Sequence, residues 1–265
     1  MITNLNFNGN KIKIYLERRS DFAAFYQIFV ERSYPNLLSK ITRDDIVIDA
    51  GANIGMFSIM ASILVGKTGK VIAIEPDPEN LKILKRNIEL NNISNIIIVN
   101  KALFSKSGER INFYQNGVMS RISLSDNNES SNHIEVETIT LDDIISNINL
   151  HPKVLKMDIE GAEKFALLSS QNTFQTINYF EGEIHSSEDY NVLLRYSNLF
   201  IFKQEPIESM RNVLSFSFKH PLKILSLELH NKFLTTKRIL STRINAEQPE
   251  KFPIIIYGER LLAKK

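Results

Sequence analysis

The sequence contains no cysteine, little net charge and no long apolar run. Without cysteine the chain can form no disulfide, no thiolate metal site and no thiol nucleophile. The 32 Lys and Arg residues against 30 Asp and Glu leave a formal charge of +2, so we expect no nucleic-acid partner. The most apolar stretch, residues 54–66, is too short to span a bilayer, and residues 1–20 have no apolar core of the signal-peptide type. These absences predict a cytoplasmic protein.

From Asp45 onward, short apolar strands alternate with helical patterns. Strands are predicted at residues 46–49, 70–75, 95–100, 154–158 and 177–184, with further candidates at 199–202 and 252–257. This alternation is typical of an α/β fold in which a parallel sheet is covered by helices on both faces.

Residues 1–43 precede this alternation and form a separate predicted unit. The Asn8-Gly9 turn predicts a hairpin, and a helix is predicted over residues 20–32, ended by Pro35. We interpret this unit as a brace or lid ahead of the main domain, residues 44–265.

The sharpest motif is the turn Asp49-Ala50-Gly51-Ala52-Asn53-Ile54-Gly55, at the point where the first main-domain strand gives way to a helix. Gly51 allows the backbone to approach a ligand closely, and Gly55 allows the helix start to pack closely on the strand. Free N–H groups at the helix start favour an anion such as a carboxylate. Asp49, at the end of the strand, is predicted to accept a hydrogen bond from a ligand ammonium, directly or through water.

Glu75 follows at the end of the second main-domain strand, where an acid can accept both ribose hydroxyls of an adenosine. NAD sites usually carry Gly-x-Gly-x-x-Gly, but here Asn53 takes the second glycine position. The acid before the turn would repel a pyrophosphate and suit an ammonium. The residues therefore favour S-adenosylmethionine over NAD as the ligand.

With these motifs in place, the sequence resembles the FkbM family of methyltransferases. The segments that carry the resemblance are residues 31–34, 47–55, 75–78, 100–103, 138–142 and 155–163. The last of these reads Leu-Lys-Met-Asp-Ile-Glu-Gly-Ala-Glu, and the resemblance extends from about residue 31 to residue 185.

The resemblance implies a Rossmann-like class I methyltransferase fold, with a seven-stranded, mostly parallel sheet and a final antiparallel strand. It implies S-adenosyl-L-methionine as methyl donor and adds Pro76 and Ala102 to the expected donor site. It also implies an oxygen acceptor on a sugar, a polyketide or a lipid-linked glycan, so the expected partner is a small-molecule or glycan acceptor.

The predicted catalytic residues are Asp158, Glu183 and His185, which end the fourth and fifth main-domain strands. Removal of a proton from an acceptor hydroxyl needs a general base or a metal, and each of the three can act as base. Together they could also hold a divalent cation, but three residues from two strands are not a metal signature, so no metal site is predicted. Glu160 and Glu163 follow on the next turn and helix, where they either stabilise the helix start or are further candidates for the chemistry.

Lys203–Arg243 carries eight Lys and Arg residues interleaved with apolar ones. We favour a helical insertion around residues 206–250, packed on the core with a solvated basic face, over a peripheral membrane contact. Two rival functions stay open at this point: an NAD-linked oxidoreductase and a non-catalytic adenosine-binding module. No sequence feature specifies an oligomeric state.

Overall fold

The computed structural model describes residues 1–29, 33–114, 121–122, 133–204 and 254–261. Its strands, in chain order, are β1 (Ile2–Phe7), β2 (Asn10–Tyr15), β3 (Ile46–Ala50), β4 (Lys70–Ile74), β5 (Ile96–Val99), β6 (Ala102–Leu103), β7 (Arg110–Tyr114), β8 (Arg121–Ile122), β9 (His133–Ile139), β10 (Val154–Met157), β11 (Tyr179–Ile184), β12 (Phe200–Gln204) and β13 (Ile254–Arg260). Its helices are α1 (Arg19–Phe29), α2 (Pro35–Lys40), α3 (Met56–Val65), α4 (Pro78–Leu90), α5 (Leu141–Ile148), α6 (Glu163–Leu168), α7 (Gln171–Thr176) and α8 (Ser187–Leu193).

Seven strands form the central sheet in the order β12-β13-β11-β10-β3-β4-β5. Strand β13 runs antiparallel to both of its neighbours, β11 and β12, and the other neighbouring pairs are parallel. The predicted α/β fold with a seven-stranded sheet and a final antiparallel strand is confirmed. Because β3 lies between β4 and β10, the carboxyl ends of these three strands meet at one edge.

Neighbouring residues on the central strands point to opposite faces of the sheet, and each face packs on helices. The two sets are Val47, Val71 and Val154 on one face and Ile48, Ile72 and Leu155 on the other. The valines pack with residues of α2 and α3, whereas the second set packs with residues of α5, α6, α7 and α8. Both faces are therefore buried, as a parallel sheet requires.

The N-terminal unit packs against the helices that follow β3 and β4. Strand β2 contributes Ile12 and Ile14 to a cluster that also contains Met56 of α3 and Ile83 of α4. Pro35 is placed differently from the prediction: it starts α2, and Tyr34 before it has a positive φ of 65°. Proline suits the first helical position because its missing N–H has no intrahelical acceptor there.

A second, four-stranded sheet in the order β6-β9-β7-β8 stands beside the main one. The predicted basic insertion, residues 206–250, lies outside the described residues. Within the described ranges, no helix is both long and apolar enough to cross a membrane.

Candidate active site

A cleft of about 890 Å³, partly open to solvent, lies at the carboxyl ends of β3, β4 and β10. Its walls come from the turn after β3, the residues after β4, strand β6 and the turn after β10. Helix α1 adds Ala24, Gln27 and Ile28. The N-terminal unit thus forms part of the wall, while its role as a brace or lid stays a prediction.

The glycines of the turn after β3 are required by close contacts inside the protein. Gly51 has a φ of 79°, and a Cβ there would lie 1.8 Å from the carbonyl oxygen of Asp158. The turn therefore packs closely against the residue that follows β10. Gly55 has a φ of 89°, and its Cβ would lie 2.3 Å from Leu84 Cδ1. Gly55 therefore allows close packing on α4, not on the strand as predicted. Gly51 lines the cleft.

The backbone amides of residues 51–55, ahead of the start of α3, all donate to acceptors within the protein, and the free N–H groups expected at the start of the helix itself stay a prediction. Their acceptors are Ile74 O for Gly51 and Ala52, Glu75 Oε2 for Asn53, Asn53 Oδ1 for Ile54 and Ala52 O for Gly55. Asn53 lines the cleft with a positive φ of 51°. None of the amides of residues 51–55 is therefore free to bind a ligand anion.

Glu75 lies at the base of the cleft and is 4% exposed. Its Oε2 accepts a hydrogen bond from Asn53 N at 2.7 Å, and its Oε1 accepts one from Asp77 N at 2.9 Å. Burial raises the pKa of Glu75 to about 7, although the hydrogen bonds from these two amides oppose the rise. Asn80 Nδ2 donates a second hydrogen bond to Oε1 at 3.3 Å. Each carboxylate oxygen can accept about two hydrogen bonds, so the remaining capacity for a ligand is on Oε2.

Asp49 is fully enclosed and already has an ammonium partner. Its Oδ1 lies 3.3 Å from Lys156 Nζ, and its Oδ2 accepts a hydrogen bond of 2.5 Å from Ser58 Oγ. Burial raises the pKa of Asp49, and the Lys156 charge opposes that rise. Lys156 also donates to Gly51 O at 2.7 Å. In place of a direct contact with a ligand ammonium, Asp49 forms an internal ion pair with Lys156. Of these two residues, Lys156 lines the cleft.

Asp158 lines the cleft just beyond β10 and is held by the N-terminal unit. Its Oδ2 accepts a hydrogen bond of 2.8 Å from the hydroxyl of Tyr34, which is 1% exposed. Burial raises the pKa of Tyr34 well above its usual value, and the charge of Asp158 raises it further. The hydroxyl of Tyr34 is therefore a stable donor to this carboxylate.

The three predicted catalytic residues lie close together. One ligand atom each of Asp158, Glu183 and His185 lies within 4.8 Å of the other two. His185 Nδ1 contacts Glu163 Oε1 at 2.9 Å, and His185 Nε2 lies 3.5 Å from Glu160 Oε2. Burial lowers the pKa of His185, but the hydrogen bond to Glu163 and the surrounding carboxylates outweigh it and raise the pKa to about 10.

Glu160 and Glu163 have more specific surroundings than a helix-start interpretation suggests. Glu163 is the first residue of α6, is fully buried and holds the His185 ring. Glu160 lies ahead of α6 with a φ of 55° and lines the cleft. Burial and the charge of Asp158 raise the pKa of Glu160 to about 8.

The family model described as the methyltransferase FkbM domain matches residues 49–220, more than half of the chain. The chain belongs to the FkbM methyltransferase family. The matched region contains the turn after β3, Glu75 and the Asp158 cluster.

Curated relatives of this FkbM-family chain include two methyltransferases. The hexuronic acid methyltransferase AglP of Haloferax volcanii is 29% identical over 154 residues, which is 58% of this chain and 61% of AglP. Methyltransferase 1 of Beauveria bassiana is 24% identical over 162 residues, which is 52% of this chain and 62% of that protein. The chain thus spans about three fifths of the length of these two relatives.

A solved structure supports the fold of this FkbM-family chain. Methyltransferase FkbM from Methylobacillus flagellatus KT superposes with a TM-score of 0.50 at 18% identity, covering 88% of this chain and 47% of that one.

Five of the seven residues predicted for the donor site line the cleft: Gly51, Asn53, Glu75, Pro76 and Ala102. Asp49 and Gly55 are engaged inside the protein, as described above. Sequence reasoning missed the contact between Tyr34 and Asp158. The signal available for it was the segment 31–34, which is part of the family resemblance but carries no chemical motif of its own.

Proposed function

We propose that this chain transfers a methyl group from S-adenosyl-L-methionine to a hydroxyl of a small-molecule or glycan acceptor. The observation that carries the proposal is the distribution of acids along one cleft. Glu75 lies at the carboxyl end of β4, and Asp158 and Glu160 follow the carboxyl end of β10. Acceptors for a ribose and negative charge for a cation are thus present in one binding cleft.

The donor fits these residues better than NAD does. Glu75 keeps acceptor capacity on Oε2 for a ribose hydroxyl, the interaction expected of an acid at this strand end. The amides of residues 51–55 are already used, so none of these five is free to bind a pyrophosphate. Asp158 and Glu160 would attract a sulfonium and an ammonium but repel a phosphate.

The residues at the acceptor end suit transfer to an oxygen. S-adenosyl-L-methionine supplies an activated methyl group when bound, so the protein has to align the acceptor and remove its proton. Of the three predicted catalytic residues, Asp158 lines the cleft. Glu183 and His185 each have a ligand atom within 4.8 Å of one of Asp158. The proton acceptor is therefore proposed to be one of these three residues, and Tyr34 positions the carboxylate of Asp158.

A sugar hydroxyl is the first acceptor class to test. The relative from Haloferax volcanii is named a hexuronic acid methyltransferase. The hydroxyls of a hexuronic acid carry no activated proton, so they need the base that the Asp158 cluster offers.

Calorimetric titration with S-adenosylhomocysteine, with NAD in parallel, tests the donor site. We expect micromolar binding of S-adenosylhomocysteine that weakens at least tenfold in Glu75→Ala. The matched control is Glu79→Ala, an exposed acid in the first turn of α4, which should bind like the wild type. Preferential binding of NAD would overturn the donor assignment.

Transfer of labelled methyl groups from S-adenosyl-L-methionine to hexuronic acid glycosides tests the reaction. Loss of a general base typically costs about 10²–10⁴-fold in rate, so Asp158→Asn should lose turnover on this scale while still binding S-adenosylhomocysteine. Donor binding without turnover on any sugar, polyketide or glycan hydroxyl would instead support an adenosine-binding module.

A further inference from the structure

We infer that Asp158, Glu183 and His185 form a binding site for one divalent cation at the acceptor end of the cleft. The site itself rests on geometry, and its role in holding the acceptor hydroxyl rests on the proposed function. The three side chains come from β11, from the residue that follows it and from the turn after β10. One potential ligand atom from each lies within 4.8 Å of the other two.

The spacing of these atoms is close to that of a coordination sphere. With metal–ligand bonds of about 2.1 Å, neighbouring ligand atoms lie about 3 Å apart and opposite ones about 4 Å apart. The observed separations of up to 4.8 Å need only small side-chain rotations to reach those values. One face of such a cation would remain open towards the cleft, because Asp158 lines it.

His185 is oriented as a metal-binding histidine usually is. Metal-ligating imidazoles commonly donate their second ring N–H to a carboxylate, which fixes the tautomer and the ring plane. Here Glu163, fully buried at the start of α6, contacts Nδ1 at 2.9 Å. Its Oε1 is also 3.2 Å from Ile159 N, so the carboxylate is itself held in place. Nε2, which lies 3.5 Å from Glu160 Oε2, is then the ring atom that would bind the cation.

Asp158 provides a second, independent observation. Its Oδ2 accepts the hydrogen bond from Tyr34, but its Oδ1 is enclosed and accepts no hydrogen bond from any residue that the structure describes. An enclosed carboxylate oxygen without a donor is costly, and a cation would satisfy it.

The local charge also favours a cation. Asp158, Glu160, Glu163 and Glu183 surround His185. Lys156, the nearby ammonium that lines the cleft, is engaged by Asp49 and Gly51 O. Carboxylates suit Mg²⁺ and Mn²⁺ and imidazole suits the transition metals, so Mn²⁺ matches the mixed set and is the probe of choice.

The test is titration of the full chain with MnCl₂ in the absence of donor, followed by the loss of the free Mn²⁺ signal in electron paramagnetic resonance. We expect one bound Mn²⁺ per chain, with affinity at least tenfold weaker in His185→Gln and in Asp158→Asn. Glu163→Gln should weaken binding by about 10–100-fold, the usual effect of losing a partner that orients a ligand. Glu188→Gln, at an exposed acid paired with Lys164, is the matched control and should bind Mn²⁺ normally.

Titration with S-adenosylhomocysteine in the same samples separates the two proposals. Wild-type protein that binds S-adenosylhomocysteine but not Mn²⁺ would overturn the cation site and leave the proposed function intact. Equal Mn²⁺ affinity in the wild type and in folded His185→Gln would also overturn it. Specific Mn²⁺ binding without any donor binding would support the cation site and refute the proposed donor site.

Discussion

At Gly51 the backbone combines two constraints, a φ of 79° and a Cβ position only 1.8 Å from the carbonyl oxygen of Asp158. Gly51→Ala therefore adds a steric overlap to a strained conformation. The strain alone costs about 1–3 kcal/mol, and overpacking adds about 1–3 kcal/mol. We expect the free energy of unfolding to fall by about 2–6 kcal/mol, measured by chemical denaturation.

Gly108 separates the two contributions. It has the same φ of 79°, but nothing lies within 4 Å of its Cβ position. Gly108→Ala should therefore show the cost of backbone strain without the overlap. Equal losses in the two variants would mean that the contact between the turn and Asp158 has no energetic consequence.

Glu75 makes donor binding sensitive to pH. Burial raises its pKa to about 7, so the free protein loses stability as pH rises from the unfolded value of 4.5 through 7 and this carboxyl ionises. The ionised form is the better acceptor for ribose hydroxyls. If only that form binds, the binding-competent fraction rises about tenfold between pH 6 and pH 8.

Calorimetry with S-adenosylhomocysteine at pH 6, 7 and 8 measures this effect. Wild-type affinity should rise about tenfold over the range, following the ionised fraction. Glu75→Gln should bind weakly and with little dependence on pH, because it has no carboxyl to titrate. A wild-type affinity that falls as pH rises would contradict the role given to Glu75.

Among the elements, α4 connects the N-terminal hairpin to the glycine turn through two asparagines. Asn87 is fully buried, accepts a hydrogen bond from Tyr15 N at 2.7 Å and donates one to Ile54 O at 3.0 Å. Asn91 lies one helical turn later, near the surface. Its side chain accepts a hydrogen bond from Lys13 N and donates one to Lys13 O. The helix thereby links β2 to the turn that lines the cleft.

Replacing these asparagines by alanine should have unequal effects. An unsatisfied buried group costs about 1–3 kcal/mol, so Asn87→Ala should lower the free energy of unfolding by about 2–3 kcal/mol. It should also weaken S-adenosylhomocysteine binding, because the turn loses its anchor at Ile54. Asn91→Ala should cost about 1 kcal/mol or less, since water can replace its bonds to Lys13. Equal effects would refute the proposed anchoring of the turn.

The elements that the sequence predicts well are those whose signal is local. Strands β3, β4, β5, β10 and β11 are short apolar runs bounded by turns, and their predicted limits agree with the structure within two residues. Asp77 and Thr140 are the N-cap residues of α4 and α5, and their side chains accept hydrogen bonds from Glu79 N and Asp143 N. Pro35 was wrongly predicted because a proline that follows one helix can equally begin the next.

At the scale of the whole molecule, the site depends on contacts that no local pattern encodes. Asp49 and Lys156 are direct neighbours in the register of β3 and β10, so their ion pair follows only once the two strands are aligned. Tyr34 and Asp158 are separated by 124 positions in the sequence. The positions of Gly51 and Glu75 in the wall of the cleft could be predicted because they depend on strand ends, which the sequence marks directly.

The position of β13 also sets the order in which the molecule can be completed during synthesis. Strand β12 pairs with β13, and β13 lies between β12 and β11. Until residues 254–260 have left the ribosome, β12 therefore lacks the strand that joins it to the sheet. The strands around the cleft, β3, β4 and β10, are all made by residue 157. A nascent chain can thus form the strands around the cleft while the edge of its sheet beyond β11 still awaits β13.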